Sequence, residues 1–225
     1  MFLLKQDGYM NRKFKTNIVR PFWAVGRIGD SCVAAYKAKG ATSQANSYIN
    51  LANPGTHDAT AVVAPSWSEA LGWVFNGSTQ ALGTDIIPSS GWTMLVCYNT
   101  LASVGVAAII AGSQNTTGNR RFYVGKSAAG AELYGSGALA IDGAVTSSGV
   151  LTIAGQNGYF NGVSRGLSIT DWDTPTNARP IYFGAVNVDG SAASFASVRI
   201  FAVAIYDTIL STRQIQGVTT NMLEL

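Results

Sequence analysis

Short apolar runs separated by turn residues form the main pattern along most of this chain. From Ser31 onward, runs rich in aromatic and β-branched residues alternate with clusters of Gly, Asn, Pro and Ser. Runs of this kind are typical of strands, and we expect roughly ten to thirteen of them. Because helical segments are nearly absent between them, the pattern predicts an all-β fold, an antiparallel two-sheet sandwich or jelly roll.

Several neighbouring runs are expected to pair as hairpins. Trp73-Val74-Phe75 and Gln80-Ala81-Leu82 flank the dipeptide Asn76-Gly77, which is a strong hairpin signal. Two further pairs flank turn residues: 121–124 with 131–134, and 151–154 with 159–160. Asn53-Pro54-Gly55 marks a turn in the polar connection after the first strand.

The end of the chain carries the clearest helix signal. A buried apolar run over 195–206 is followed by Leu210, Ser211 and, three residues later, Gln214. Ser and Gln at this spacing form a capping box, in which each side chain covers a free amide at the helix start. The sequence therefore predicts a last core strand and one short helix from about Ser211 to Met222.

Charge divides the chain into two unequal parts. Residues 1–30 contain six basic and two acidic residues, a net charge of +4, whereas residues 31–225 contain nine basic and ten acidic, a net charge of −1. We call residues 1–30 the basic arm and expect a separate sandwich domain over 31–225. The residues expected to dock the basic arm on a partner are basic or aromatic: Arg12, Lys13, Phe14, Lys15, Arg20, Phe22 and Trp23. Since the domain itself is nearly neutral, nucleic-acid binding is not expected.

Motifs in a fixed order over residues 31–225 resemble the laminin-G-like, concanavalin A-like lectin domains. They are the hairpin-like run 72–78, Gly158-Tyr159-Phe160-Asn161-Gly162, Pro180-Ile181-Tyr182-Phe183-Gly184, and the closing run 198–207. The low charge, the abundant small residues and the basic arm are similar to such domains in structural proteins of tailed bacteriophages. Proteins with this fold have many different functions, so the resemblance predicts the fold more specifically than it predicts an activity.

The resemblance implies a virion structural protein without enzymatic activity, in a capsid or tail decoration or a fibre. Its expected partners are other virion proteins through the basic arm, a second copy of the chain, and a host-surface glycan. The alternative is a carbohydrate-binding lectin domain assisted by Ca²⁺, and a third reading is a diverged glycoside hydrolase.

The sequence contains few of the residue arrangements that catalysis requires. Glycosidases of this kind need two carboxylates facing the scissile bond, but the three glutamates Glu69, Glu132 and Glu224 are far apart. His57 is the only histidine and has no nucleophile motif near it. The sequence therefore predicts that the chain is not an enzyme.

Five residues on predicted loops form the candidate ligand site: Asp171, Trp172, Asp173, Asn187 and Asp189. Carboxylate and amide oxygens on loops suit Ca²⁺, and an exposed tryptophan can stack on a sugar ring. The sequence predicts no cofactor, and Ca²⁺ at these residues is the alternative. The alternative is that these Asp and Asn side chains bond their own backbone within turns, while Trp172 fills the edge of the sandwich.

Cys32 and Cys97 each lie in an apolar run and are expected to be buried, unpaired thiols. The N-terminal apolar residues are too few for a signal peptide, and residues 101–112 are too few to span a bilayer. The expectation is a protein made in the host cytoplasm, without membrane insertion, that becomes part of a virion.

Overall fold

The computed structural model describes residues 21–102, 106–116, 120–136, 138–144, 146–166 and 179–225. The strands and helices within this part of the chain are β1 (Cys32–Lys37), α1 (Gln44–Ser47), β2 (Thr60–Val63), β3 (Ser66–Ser68), β4 (Gly72–Asn76), β5 (Ala81–Gly83), β6 (Thr93–Asn99), β7 (Ala108–Asn115), β8 (Arg120–Lys126), β9 (Ala131–Ser136), β10 (Ala138–Ala144), β11 (Gly149–Ala154), β12 (Asn157–Phe160), β13 (Val163–Ser164), β14 (Tyr182–Phe183), β15 (Val186–Val188), β16 (Ser191–Ala193), β17 (Ser197–Tyr206) and α2 (Thr212–Leu223).

The strands form the two sheets that the sequence predicted. The first sheet has the order β13-β12-β11-β6-β17-β4-β3, and β1 pairs with the second half of β17. The second sheet has the order β10-β9-β8-β7-β14-β5-β2, and the β15–β16 hairpin is attached to β7. All pairings are antiparallel except β15 with β7. The prediction of an antiparallel two-sheet sandwich with a short C-terminal helix is confirmed.

Strand β17 is the centre of the first sheet. It pairs with β6 along one side, and with β4 and then β1 along the other. A bulge after Ile200 shifts the alternation, so that Val198 and Ile200, then Val203 and Ile205, all point into the sandwich. Both faces of β17 are covered, which explains why the predicted strand is an almost continuous run of apolar residues.

Aromatic residues from both sheets fill the space between them. The rings of Trp73 and Phe183 stack with centroids 5.7 Å apart, and Tyr36 contacts Phe183 edge-on. The indole nitrogen of Trp73 donates to the Ser47 hydroxyl at 2.8 Å, so its polar atom is satisfied in the interior.

A second core lies on the outer face of the first sheet, beneath α2. Ile215, Val218 and Met222 of α2 pack there with Phe22 and Ile28 from the chain before β1. The helix begins with the predicted capping box, in which the Ser211 hydroxyl accepts from the Gln214 amide. The predicted helix is thus confirmed within one residue at each end.

The predicted hairpin across Asn76-Gly77 is wrong. Strand β4 pairs with β3 and β17 in the first sheet, whereas β5 pairs with β2 and β14 in the second. The Asn76 carboxamide oxygen accepts from the amides of Ser78 and Thr79, and this capped turn carries the chain from one sheet to the other. The other two expected pairs form as β8–β9 and β11–β12.

A glycine is required at position 184, directly after β14, where the backbone passes close to the core. Its φ is +79°, and a Cβ at this position would lie 2.1 Å from the ring of Phe75. Only glycine combines this conformation with such close contact.

Candidate functional site

A polar cleft opens at one end of the β2–β5 ladder. Thr60 pairs with Gly83 at the end of that ladder, and the loop before β2 folds over it. The cleft has a volume of about 390 Å³. We call it the loop-end cleft, and its lining residues are Gly55, His57, Asp58, Thr60, Thr84 and Asp85.

Asn50 holds the loop that forms one wall of the cleft. Its side chain is fully buried. The carboxamide oxygen accepts from the amides of Ala35 (2.9 Å) and Ala52 (3.0 Å), and the nitrogen donates to the carbonyls of Val33 (2.9 Å) and Thr56 (2.8 Å). Buried bonds of this kind fix a loop because leaving any of them unmade is costly. The wall is therefore attached rigidly to strand β1.

His57 has an uncommon backbone conformation at the edge of the cleft. Its φ is +62°, in the left-handed region. The hydroxyl of Tyr36 donates to the His57 carbonyl from inside the sandwich. Burial, followed by the charges of Asp85 and Asp58, raises the pKa of Tyr36 far above its ordinary value, so it stays a proton donor. A non-glycine residue kept in this conformation is more common at binding sites than elsewhere.

The His57 ring is held across the cleft by Asp85. Its Nδ1 lies 2.6 Å from the Asp85 carboxylate, and 71% of the Asp85 side chain is exposed. Opposite, the Asp58 carboxylate accepts from the amides of Asn50 (2.7 Å) and Gly55 (3.3 Å). Thr84 is tied to the second sheet through a bond from its hydroxyl to the Ile181 carbonyl. The cleft thus presents a carboxylate and an imidazole in a fixed arrangement.

Sequence reasoning did not select this group. His57 and Asp85 are 28 residues apart, and His57 was considered only as part of a catalytic motif for which no nucleophile was found. The turn signal Asn53-Pro54-Gly55 did mark the loop, and the turn is present with Thr56 donating to Asn53.

Two of the five predicted ligand residues lie in the described part of the chain. Asn187 is buried in β15, where its carboxamide donates to the Pro180 carbonyl (2.9 Å) and accepts from the Gly190 amide (2.8 Å). Asp189 accepts from the hydroxyl and the amide of Thr116 and from Arg179. The Thr116 hydroxyl, above all, lowers the pKa of Asp189. Asn187 therefore caps the β15–β16 turn through the Gly190 amide, whereas Asp189 ties that turn to Thr116 after β7 and to Arg179.

The other three, Asp171, Trp172 and Asp173, lie outside the described residues. Among the residues that the structure does describe, no group of three or more His, Cys, Asp or Glu side chains is placed to hold a metal ion. No helix within the same ranges is long and apolar enough to cross a bilayer.

Five of the seven predicted docking residues of the basic arm also lie outside the described part: Arg12, Lys13, Phe14, Lys15 and Arg20. Phe22 and Trp23 are described and pack against each other edge-on, 5.0 Å apart. Phe22 is only 6% exposed in the second core, and the hydroxyl of Tyr206 donates to the Trp23 carbonyl at 2.9 Å. This end of the basic arm packs on the chain's own domain.

Both cysteines are buried, as the sequence predicted. The thiols donate to the carbonyls of Ala34 and Met222, and burial raises the pKa of each to about 12.

Solved structures share this fold. Trypanosoma rangeli sialidase in complex with 2,3-difluorosialic acid matches with a TM-score of 0.61 and 16% identity, over 87% of this chain and 33% of the sialidase. Domain 4 of AbnA, a GH43 extracellular arabinanase from Geobacillus stearothermophilus, in complex with arabinotriose, matches with a TM-score of 0.54 and 12% identity, over 84% of this chain and 98% of that domain. The binding domain of Paraclostridial Mosquitocidal Protein 1 matches with a TM-score of 0.59 and 11% identity, over 84% and 52%.

These neighbours define the class by fold alone, as a β-sandwich domain. A concanavalin-like sandwich fits them, whereas they do not show the laminin-G family or a phage family. Neither a scan of protein-family models nor a search of curated proteins gave a match. The chain spans about a third of the length of the sialidases, and at such low identities the likeness is one of fold.

The expectation that the chain is not an enzyme is contradicted by this comparison. Its structural neighbours include several sialidases, which are enzymes. The expectation relied on the spacing of three glutamates, and that spacing describes one glycosidase arrangement among several.

Proposed function

We propose that this chain is a carbohydrate-binding module and that a neutral sugar binds in the loop-end cleft. The observation that carries the proposal is the fixed set of polar groups there, with the exposed carboxylate of Asp85 beside the ring of His57. Sugar hydroxyls are recognised by a few well-placed polar side chains in a preformed concave site. The complex of the similarly folded arabinanase domain with arabinotriose supports the same reading.

Pre-organisation supports the proposal energetically. The wall of the cleft is attached through Asn50, and the His57 carbonyl is held by the buried Tyr36. A site whose side chains are already ordered loses less conformational entropy when it binds a ligand.

Calorimetric titration with a panel of neutral oligosaccharides that includes arabinotriose tests the proposal. Asp85→Asn and His57→Ala are expected to weaken binding at least about tenfold, because the first replaces a charged acceptor oxygen with an amide donor and the second removes the imidazole. Glu224→Gln, which removes an exposed carboxylate at the end of α2, is the matched control. If no oligosaccharide binds, or if Asp85→Asn binds as tightly as the unchanged chain, the proposal is overturned.

The virion location expected from the sequence is compatible with this function, because a glycan-binding sandwich on a particle can attach it to a host surface. It rests on the low charge, the abundant small residues and the basic arm, which resemble those of phage structural proteins. Mass spectrometry of purified particles tests it, and absence of the chain from them would contradict it.

A further inference from the structure

Helix α2 covers only part of the outer face of the first sheet. Beneath it lie apolar side chains such as Cys97, Val150 and Ala204. At the other end of that face the outward side chains are only partly buried. We call this end the basic face, and its residues are Lys37, Lys39, Val74, Asn99, Arg199 and Phe201.

Strand pairing brings the residues of the basic face together. Arg199 lies between Val198 and Ile200, which both point into the core, so its own side chain points outward. It is directly opposite Asn99 of β6 on one side and Val74 of β4 on the other. Phe201 lies two residues after Arg199 in β17, and the Lys39 ammonium is 4.9 Å from the centre of the Phe201 ring.

Two clefts meet on this face. One, of about 340 Å³, is lined by Lys37, Lys39, Gly40, Glu69, Ala70 and Leu225. The other, of about 190 Å³, includes Asn99, Asn161 and Phe201. Lys39 and Leu225 line both, so the two clefts lie side by side. We call the pair the groove, with lysines along the first cleft and carboxamides in the second.

The cations of the basic face make no ion pair with the part of the chain that the structure describes. Within the described residues, Lys37, Lys39 and Arg199 have no carboxylate partner, whereas Arg165 and Arg179 pair with Glu132 and Asp189. Among the side chains that line the groove, Glu69 is the one acidic group. Three of the nine basic residues of 31–225 therefore converge on one face of a domain whose net charge is −1.

We propose that the basic face binds an acidic polysaccharide through its carboxylate groups. A planar guanidinium matches a carboxylate with two parallel hydrogen bonds, and the lysines supply further charge along the groove. The carboxamides of Asn99 and Asn161 can bond sugar hydroxyls beside the charged groups. Nucleic acid fits less well, because a nearly neutral domain lacks the extended positive field that a phosphate backbone requires. This surface is separate from the loop-end cleft, so the two proposals are independent.

Binding of oligogalacturonates to the full chain tests the inference, with neutral dextran and a short DNA duplex as competing ligands. The triple variant Lys37→Gln, Lys39→Gln, Arg199→Gln is expected to bind the oligogalacturonates about tenfold more weakly, since three exposed ion pairs are lost. Glu69→Gln is expected to bind them more tightly, a gain that damage to the fold does not produce. Binding should weaken as salt is raised.

Arg213→Gln is the matched control, because it removes one exposed positive charge from α2, away from the groove. Thermal melting of every variant shows whether the sandwich is intact. The inference is overturned if the triple variant binds as the unchanged chain does, if Arg213→Gln weakens binding as much, or if the DNA duplex binds more tightly than the oligogalacturonate at equal salt. The titrations with neutral oligosaccharides test the loop-end cleft with different ligands and variants, so failure of that proposal is seen separately.

Discussion

The guanidinium of Arg165 donates to both carboxylate oxygens of Glu132 and thereby joins the two sheets of the sandwich. Arg165 directly follows β13 at the edge of the first sheet, and Glu132 lies in β9 of the second. The Glu132 side chain is fully buried and also accepts from the hydroxyl of Tyr134 at 2.7 Å. Arg165 in turn lies over the ring of Phe160.

Removing this carboxylate is expected to destabilise the fold strongly. Glu132→Ala removes the buried carboxylate that accepts from the Arg165 guanidinium and the Tyr134 hydroxyl, so we expect a loss of about 3 kcal/mol in the free energy of unfolding. Urea unfolding measures it.

The matched control is the exposed pair between Arg179 and Asp189, for which Arg179→Gln should cost less than about 1 kcal/mol. Replacing both Glu132 and Arg165 by leucine should recover part of the loss. Equal small effects of Glu132→Ala and Arg179→Gln would contradict a structural role for the buried pair.

The loop-end cleft depends on Asn50. Asn50→Ala removes the acceptor for Ala35 and the donors to Val33 and Thr56, so unfolding should become easier by about 3 kcal/mol. Because the cleft wall loses its attachment, sugar affinity should fall as well. Asn46→Ala is the control, since the Asn46 side chain is exposed and bonds only Thr42. An Asn50→Ala variant with unchanged stability would contradict this account.

Patterns that depend on neighbouring residues predicted the fold well. The apolar run that became β17 and the Ser211–Gln214 cap of α2 are local signals, and both are present in the structure. Asn76-Gly77 predicted the wrong strand pairing, because the same dipeptide forms the tight turn of a hairpin and also a turn that leads from one sheet to the other. Which sheet accepts the next strand is decided by distant partners, here β14 and β2, which local spacing does not reveal.

The candidate site was less predictable for the same reason. The sequence placed Asn187 and Asp189 on polar loops. It did not reveal their hydrogen-bond partners, Pro180 and Thr116, which lie in other parts of the chain. His57 and Asp85 meet only because the loop before β2 folds over the end of β5. Oxygen-rich loops are typical of ligand sites and of capped turns alike, so composition does not separate the two.

Gly184→Ala is expected to destabilise the sandwich far more than an alanine at another glycine of positive φ. The new Cβ at 184 meets the ring of Phe75, whereas at Gly190, with φ of +97°, no atom lies within 4 Å. Gly190→Ala should therefore cost only the backbone strain, about 1 kcal/mol, and Gly184→Ala at least about twice that. Paired urea unfolding curves measure both, and equal effects would contradict the packing argument.

Alkaline pH is expected to destabilise the fold through its two buried thiols. Burial raises the pKa of Cys32 and Cys97 from 9.0 to about 12, so between these values the unfolded chain loses protons that the folded chain keeps. The contribution to stability is complete below pH 9 and is lost as the pH rises toward 12, by about 1.4 kcal/mol per pH unit for each thiol. Unfolding free energies measured from pH 8 to 11 should fall less steeply in the double variant Cys32→Ala, Cys97→Ala. Identical slopes would contradict the assignment.

Two deletions separate the roles of the basic arm. Phe22 and Ile28 are each 6% exposed in the second core beneath α2, and Tyr206 bonds the Trp23 carbonyl. A chain lacking residues 1–30 should therefore lose several kcal/mol or fail to fold, since loss of one buried phenylalanine costs about 3 kcal/mol. A chain lacking only residues 1–20 should keep its melting temperature. Thermal melting of both deletions and of Phe22→Ala measures this.

Assembly gives the second readout for the basic arm. Arg12, Lys13, Phe14, Lys15 and Arg20 are all removed with residues 1–20, while the packed segment around Phe22 remains. If these residues dock on a partner or on a second copy, the shorter deletion stays folded but loses its assembly in size-exclusion chromatography with light scattering. A variant with Arg12, Lys13, Lys15 and Arg20 all changed to Gln should lose it in the same way, because docking on an acidic surface needs those charges. An unchanged mass in both would show that the charged part of the basic arm has no role in assembly, and a lower melting temperature after the shorter deletion would show that the domain's own packing extends into it.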